Sequence, residues 1–195
     1  MTKAATSLCA TPEQTTEIRE AYIRQPGAPP FVIGKMLGVP EETVITGLPP
    51  SQSVGTSDGQ AFAKVWESLA GWDRPIVAIP LPNDNIVEFS GPIGTKVTSS
   101  NGEVQIETER SGLRGHFHPS SIAAIHAITL ARNDGKMLHG VVFLGADGKS
   151  IISVYSLIGK KSEYVRLLST DAYQRTRDLI ASMPSDCPQA DPRKK

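Results

Sequence analysis

The chain's four histidines all fall within one stretch, as His116, His118, His126 and His139. Over residues 112–118, period-two alternation puts Arg114, His116 and His118 on one face of a strand and Leu113 and Phe117 on the other. Such a His-x-His pair holds two imidazoles ~7 Å apart on one face. That is a beginning for a metal site, but zinc takes three or four protein ligands and local spacing fixes no third. A solvated surface pair is the commoner outcome. His126 alternates with Ile122, Ala124, Ile128 and Leu130 on an apolar face, so it reads as a hydrogen-bonded core residue. His139 shares its face with Met137, Val141 and Phe143 and, taken singly, also reads as structural.

The elements that must position these residues follow from periodicity. Thr11-Pro12-Glu13-Gln14 is a helix start, with Thr11 able to cap and Gln14 three residues on. Gln25-Pro26-Gly27 ends that helix. Short helices are expected over residues 31–37, stopped by Gly38, and from Pro40 to Gly47. Phe62, Val65, Trp66 and Leu69 stand at i, i+3, i+4 and i+7, an amphipathic helix ended by Gly71. The period then changes to two. Strands are expected at 76–81 and 86–90 around a four-residue turn, then at 104–108, 113–118, 122–131, 137–144 and 150–157. Asn133-Asp134-Gly135 and Ala146-Asp147-Gly148 supply turns. A closing helix over 162–183 uses Tyr164, Leu167, Leu168 and Leu179.

The fold class is therefore α+β: a helical N-terminal segment, an antiparallel meander sheet of about seven or more strands, and a long C-terminal helix. The expected organisation is a flexible start (1–10), a short helical cap (11–48), a Pro/Ser/Gly linker (49–60), the main domain (61–183) and a disordered tail (184–195).

With 20 Lys+Arg against 20 Asp+Glu the chain carries no net charge, which removes the main argument for nucleic acid or an anionic membrane as partner. The residues 40–46 could follow a turn like a DNA-reading helix, but Glu41 and Glu42 without Lys or Arg suit a cap packed on the sheet better. No run reaches the ~18 apolar residues of a membrane span, and residues 4–8 are too short and polar for a signal-peptide core. A cytoplasmic protein is expected. Cys9 and Cys187, placed in mobile ends, make a poor structural disulfide and no Cys-rich metal site. There is no Gly-x-Ser-x-Gly, P-loop or dinucleotide-binding glycine motif. Arginine, histidine and an apolar sheet face together are what a porphyrin slot requires, one possibility among several.

Several segments, in order, resemble the HutX/ChuX-type cytosolic heme carrier family. They are Ile18–Ala21 through Gly47-Leu48-Pro49, Val65-Trp66-Glu67 to Trp72, Glu88-Phe89-Ser90-Gly91, Gly112-Leu113-Arg114-Gly115-His116, and Phe143–Gly148 followed by a strand and a long helix. The resemblance spans about residues 15–182. It implies an α+β fold that dimerises through its sheets and resembles half of a HemS/ChuS-type protein. It also implies cytoplasmic heme binding and hand-over to a heme-degrading enzyme. The histidine of the Gly-x-x-Gly-His motif, a candidate iron ligand in the family, maps to His116. Ile79-Pro80-Leu81-Pro82 stands where members often carry a second histidine. Gly102–Ile106 stands where they carry a His-Gly-Phe-Phe-Asn-Leu-like segment.

The expectation is a non-enzymatic, homodimeric heme carrier. His116 would sit on iron, Arg114 on a propionate, apolar strand positions would wall the macrocycle, and His118, His139 or Tyr155 would replace the missing ligand. The competing expectations are an enzyme on the same fold, heme-degrading or using a metal held by His116 and His118, and a structural or regulatory module.

Overall fold

The computed structural model describes residues 8–72, 75–108, 112–156 and 163–187, leaving out the side chains of 84 and 163–169. The expected strand end at Leu157, the helix start at Ser162 and the side chains of Tyr164, Leu167 and Leu168 lie outside the described residues.

Three helices form the N-terminal cap: α1 (Pro12–Arg24), α2 (Pro30–Leu37) and α3 (Glu41–Thr46). The α1 start is a reciprocal capping box, Gln14 N donating to Thr11 Oγ1 at 3.3 Å and Thr11 N to Gln14 Oε1 at 2.9 Å. Gly38 ends α2 at φ 69°, a left-handed conformation that costs glycine nothing. Then come β1 (Ser53–Thr56), α4 (Phe62–Ser68), β2 (Ile76–Pro80), β3 (Ile86–Ser90), β4 (Lys96–Ser100), β5 (Glu103–Glu107), β6 (Gly115–Phe117), β7 (Ala124–Ala131), β8 (Met137–Leu144), β9 (Ser150–Tyr155) and α5 (Glu163–Ala181).

The strands divide into two sheets, one of six in the order β1-β7-β8-β9-β2-β3 and one of three in the order β4-β5-β6. All their pairings are antiparallel. Alternation along β7 sorts its residues between two cores. Ala124, Ile128 and Leu130 meet Ile18, Ile33, Val44 and Ile45 of the cap. Ile125 and Ala127 face the opposite layer, with Phe62, Trp66 and Tyr173 of the helices and Val104 and Ile106 of the small sheet. The large sheet is therefore covered on both faces, while among the described residues the small sheet packs on one face only. Phe62, Trp66, Phe117 and Phe143 join the two sheets, with Phe62–Phe117 centroids 4.9 Å apart and Phe62–Phe143 5.1 Å. Trp66 Nε1 donates to Gly94 O at 3.1 Å, satisfying the one polar atom this buried ring brings in.

Three expectations need correction. Ser53–Thr56, inside the expected linker, is an edge strand paired with residues 125–128 of β7. Cys9 and Cys187 form a disulfide across 178 residues with Cα atoms 5.3 Å apart. Residues 8–10 and 184–187 are anchored rather than loose, the rest of both expected loose ends lying outside the described residues: Leu8 O accepts from Thr43 Oγ1 at 3.0 Å, and Pro184 O accepts from Thr56 Oγ1 at 2.7 Å.

Candidate functional site

On β6 the expected alternation holds. Phe117 points into the aromatic cluster, while the His116 side chain is 66% exposed. In the β5–β6 register Gln105 opposes His116 and Val104 opposes Phe117, so Glu103, Gln105 and His116 share the outward face. There His116 Nδ1 lies 2.7 Å from Glu103 Oε1, which also accepts from Gln105 Nε2 at 3.2 Å. These two hydrogen bonds, and then the charge of the nearby histidines including His118, hold the Glu103 carboxyl below its ordinary value. With Nδ1 protonated and given to Glu103, the second ring nitrogen, Nε2, is left as the acceptor. This is how histidines that bind metals are commonly oriented. Arg114 and His118 are exposed beside this strand. Sequence reading marks Glu103 as a strand carboxylate like Glu88 and Glu107 but cannot give it a partner, because strand register decides which carboxylate meets the ring.

The surroundings of His116 are polar. Across the same outward face Lys96 Nζ pairs with Glu107 Oε2 at 2.8 Å, next to Thr98 and Gln105. The expected apolar wall is not on this face among the described residues: Leu113 and Phe117 turn inward to the core. No three His, Cys, Asp or Glu side chains come together as a metal ion would need, again among the described residues.

His139 lies in the other sheet, on the face that α5 covers. Its ring stacks on Tyr173 with centroids 4.3 Å apart, and its Nδ1 is 3.1 Å from Thr129 Oγ1, itself 2.8 Å from Tyr173 OH. Burial lowers its pKa. The structure therefore does not bring His139 to the His116 strand. Tyr155 is also in the large sheet, packed toward the cap with burial raising its pKa. His126 is buried as expected, but among the described residues its Nδ1 has no hydrogen-bond partner, a correction to the hydrogen-bonded reading. Burial alone pushes it down to about 4.

A separate cleft of about 710 Å³ opens between α2, α3, the β2–β3 hairpin and the β8–β9 turn. Phe31, Val39, Leu81 and Ile86 give it apolar walls, Lys35 and Lys149 add cations, and no histidine lines it. Glu41, at 5% exposure, accepts from Ser150 N at 3.1 Å through Oε2. Burial raises its pKa, and its Oε1 has no partner.

A family model described as Haem utilisation ChuX/HutX matches residues 56–170. A protein of known crystal structure from Erwinia carotovora superposes with a TM-score of 0.69 at 22% identity, over 84% of this chain and 98% of its own. The heme binding protein ChuX superposes with a TM-score of 0.64 at 20% identity, over 81% of this chain and 98% of that one. PhuS, a heme-binding protein from Pseudomonas aeruginosa, gives 0.63 at 15% identity, over 88% of this chain but 50% of PhuS. At these identities the likeness establishes the fold alone, and the chain corresponds to about half the length of PhuS. No curated protein matches the chain.

Proposed function

The chain belongs to the ChuX/HutX haem-utilisation family, and from that membership we propose that it is a cytoplasmic, non-enzymatic carrier that binds heme and passes it to a heme-degrading enzyme. The observation that carries the reading is the family match over residues 56–170, which contains the whole His116 strand. The ligand side of the site fits the group. His116 offers an accessible imidazole whose Nδ1 is held by Glu103 at 2.7 Å. That contact would fix the tautomer and leave Nε2 to hold the iron. Bound heme supplies a Lewis-acidic iron that accepts one such nitrogen. Arg114 would pair with a propionate, and His118, exposed beside the strand, would be a second, exchangeable base. One strong ligand on an open strand suits release better than two.

The wall side needs a second copy of the chain. The outward face around His116 is polar, and a macrocycle requires apolar contact. Leu81, Ile86 and Val87, 41–49% exposed around the β2–β3 hairpin, are apolar surface that a homodimer would bring to the site.

Hemin titration of the purified full chain tests this. A saturable Soret shift at micromolar hemin, with heme then leaving for an added heme-degrading enzyme, is the expected result. No shift, or a complex that never releases heme, contradicts the proposal.

A further inference from the structure

We infer that the Cys9–Cys187 disulfide is a redox-reversible clasp that braces the helical cap and one wall of the 710 Å³ cleft. The inference stands on geometry independent of heme. The bridge joins two short segments, each docked on a different body. On the cap side, Leu8 O accepts from Thr43 Oγ1 at 3.0 Å and from Thr46 Oγ1 at 3.3 Å, and Ala10 N donates to Thr46 Oγ1 at 3.0 Å. On the sheet side, Pro184 O accepts from Ser57 N at 3.1 Å and Thr56 Oγ1 at 2.7 Å, and Asp186 N donates to Ser57 Oγ at 2.8 Å. One covalent bond thus ties α3 to the end of the edge strand β1 through both chain segments.

The brace reaches the cleft through Leu8. Gly148 of the β8–β9 turn sits so tightly that a Cβ there would come 3.0 Å from Pro40 Cβ and 3.2 Å from Leu8 Cδ2. Its carbonyl accepts from Glu42 N at 3.0 Å. Pro40, Glu41, Asp147 and Lys149 line the cleft around that contact. Freeing the 8–10 segment removes the side chain that backs this wall.

Both cysteines are partly exposed, so a small reductant can reach the bond. A thiolate of a dithiol attacks one sulfur, the S–S bond breaks and a mixed disulfide forms. The second thiolate then displaces the protein sulfur. Cys9 and Cys187 together gain two electrons and two protons, and the dithiol is oxidised to its disulfide. Bonds of this kind in reducing compartments are usually transient and redox-sensing, so reversibility is what the cytoplasmic placement proposed above requires.

The test uses the full chain equilibrated with oxidised or reduced dithiothreitol, beside Cys9→Ser and Cys187→Ser. Alkylation and intact mass count free thiols, and hydrogen exchange follows the amides of Ala10, Ser57 and Asp186. The oxidised chain should show no alkylated thiol and the reduced chain two. On reduction those amides should exchange at least tenfold faster while β7 and β8 stay protected, and Tm should fall by about 5–10 °C. Both variants should show one alkylated thiol, exchange like the reduced chain and ignore the reagent. Two free thiols under oxidising conditions overturn the clasp. So does a bond whose reduction leaves exchange unchanged. Neither result bears on heme binding, which hemin titration of the same samples reads separately.

Discussion

The two sheets use histidine in opposite ways. The six-stranded sheet is packed on both faces, by the cap and by α4, α5 and the small sheet. Its His126 and His139 are held by packing and kept neutral by burial. Among the described residues the three-stranded sheet is packed on one face only, and His116 stands on the other, 66% exposed, with a carboxylate partner. The residue type is the same; coverage decides whether the ring is packed away or open to solvent. A buried imidazole loses proton affinity to desolvation, whereas a wet one beside Glu103 keeps a nitrogen available for a ligand.

The comparison requires that the two sheets share one core, and Trp66→Ala is the harshest way to break it. Removing this fully buried ring from the cluster with Phe117 and Phe143 should cost about 3–5 kcal/mol in urea unfolding. A loss under about 1 kcal/mol would mean the sheets are energetically separate.

The covered sheet should next reveal itself in acid. The folded value of His126 is about 4 against an ordinary 6.5. The unfolded chain therefore binds this proton first as pH falls, and stability drops between about 6.5 and 4, by up to about 3 kcal/mol. Glu42 works against this. Its value, raised to about 6 by burial and then by the charge of Asp186, makes the folded state gain stability as pH falls from about 6 toward 4.5. Comparing wild type with His126→Leu isolates the histidine term. The variant should lose less stability across that interval, and parallel curves would count against the buried neutral ring.

On the open sheet the effects move from stability to binding. Glu103→Gln should raise the heme dissociation constant about tenfold or more and leave stability nearly unchanged, as for an exposed ion pair. An unchanged constant would reduce Glu103 to a surface contact. Smallest of all should be the effect of His116→Ala on unfolding, within about 0.5 kcal/mol, because the ring is mostly in water. A larger loss would erase the contrast between the sheets.

Much of the frame was legible because strong local signals agree with tertiary packing. The 62–69 stripe, the capping box at Thr11 and the β7–β8 hairpin with Gly135 at φ 74° are of this kind. Short or polar elements were not. β1 is four residues, Ser-Val-Gly-Thr, whose pairing partner lies 69–75 residues away. Its Gly55 is needed because a Cβ would meet the His126 ring at 2.2 Å, which looks like linker composition until the ring is in place. β4 shows mostly exposed residues, with Val97 alone packed against the core, so it carries little alternation to read. The Cys9–Cys187 pairing and the Glu103–His116 contact are both tertiary outcomes. Local pattern placed His116 on the correct face and could not name the residue beside it.

Hemin titration of His116→Ala and His139→Ala side by side with wild type tests the central claim most directly. The account predicts a wild-type Soret spectrum for His139→Ala, whose ring belongs to the Tyr173 stack, and a lost or shifted Soret band for His116→Ala. A spectrum unchanged by His116→Ala, or abolished only by His139→Ala, would contradict it.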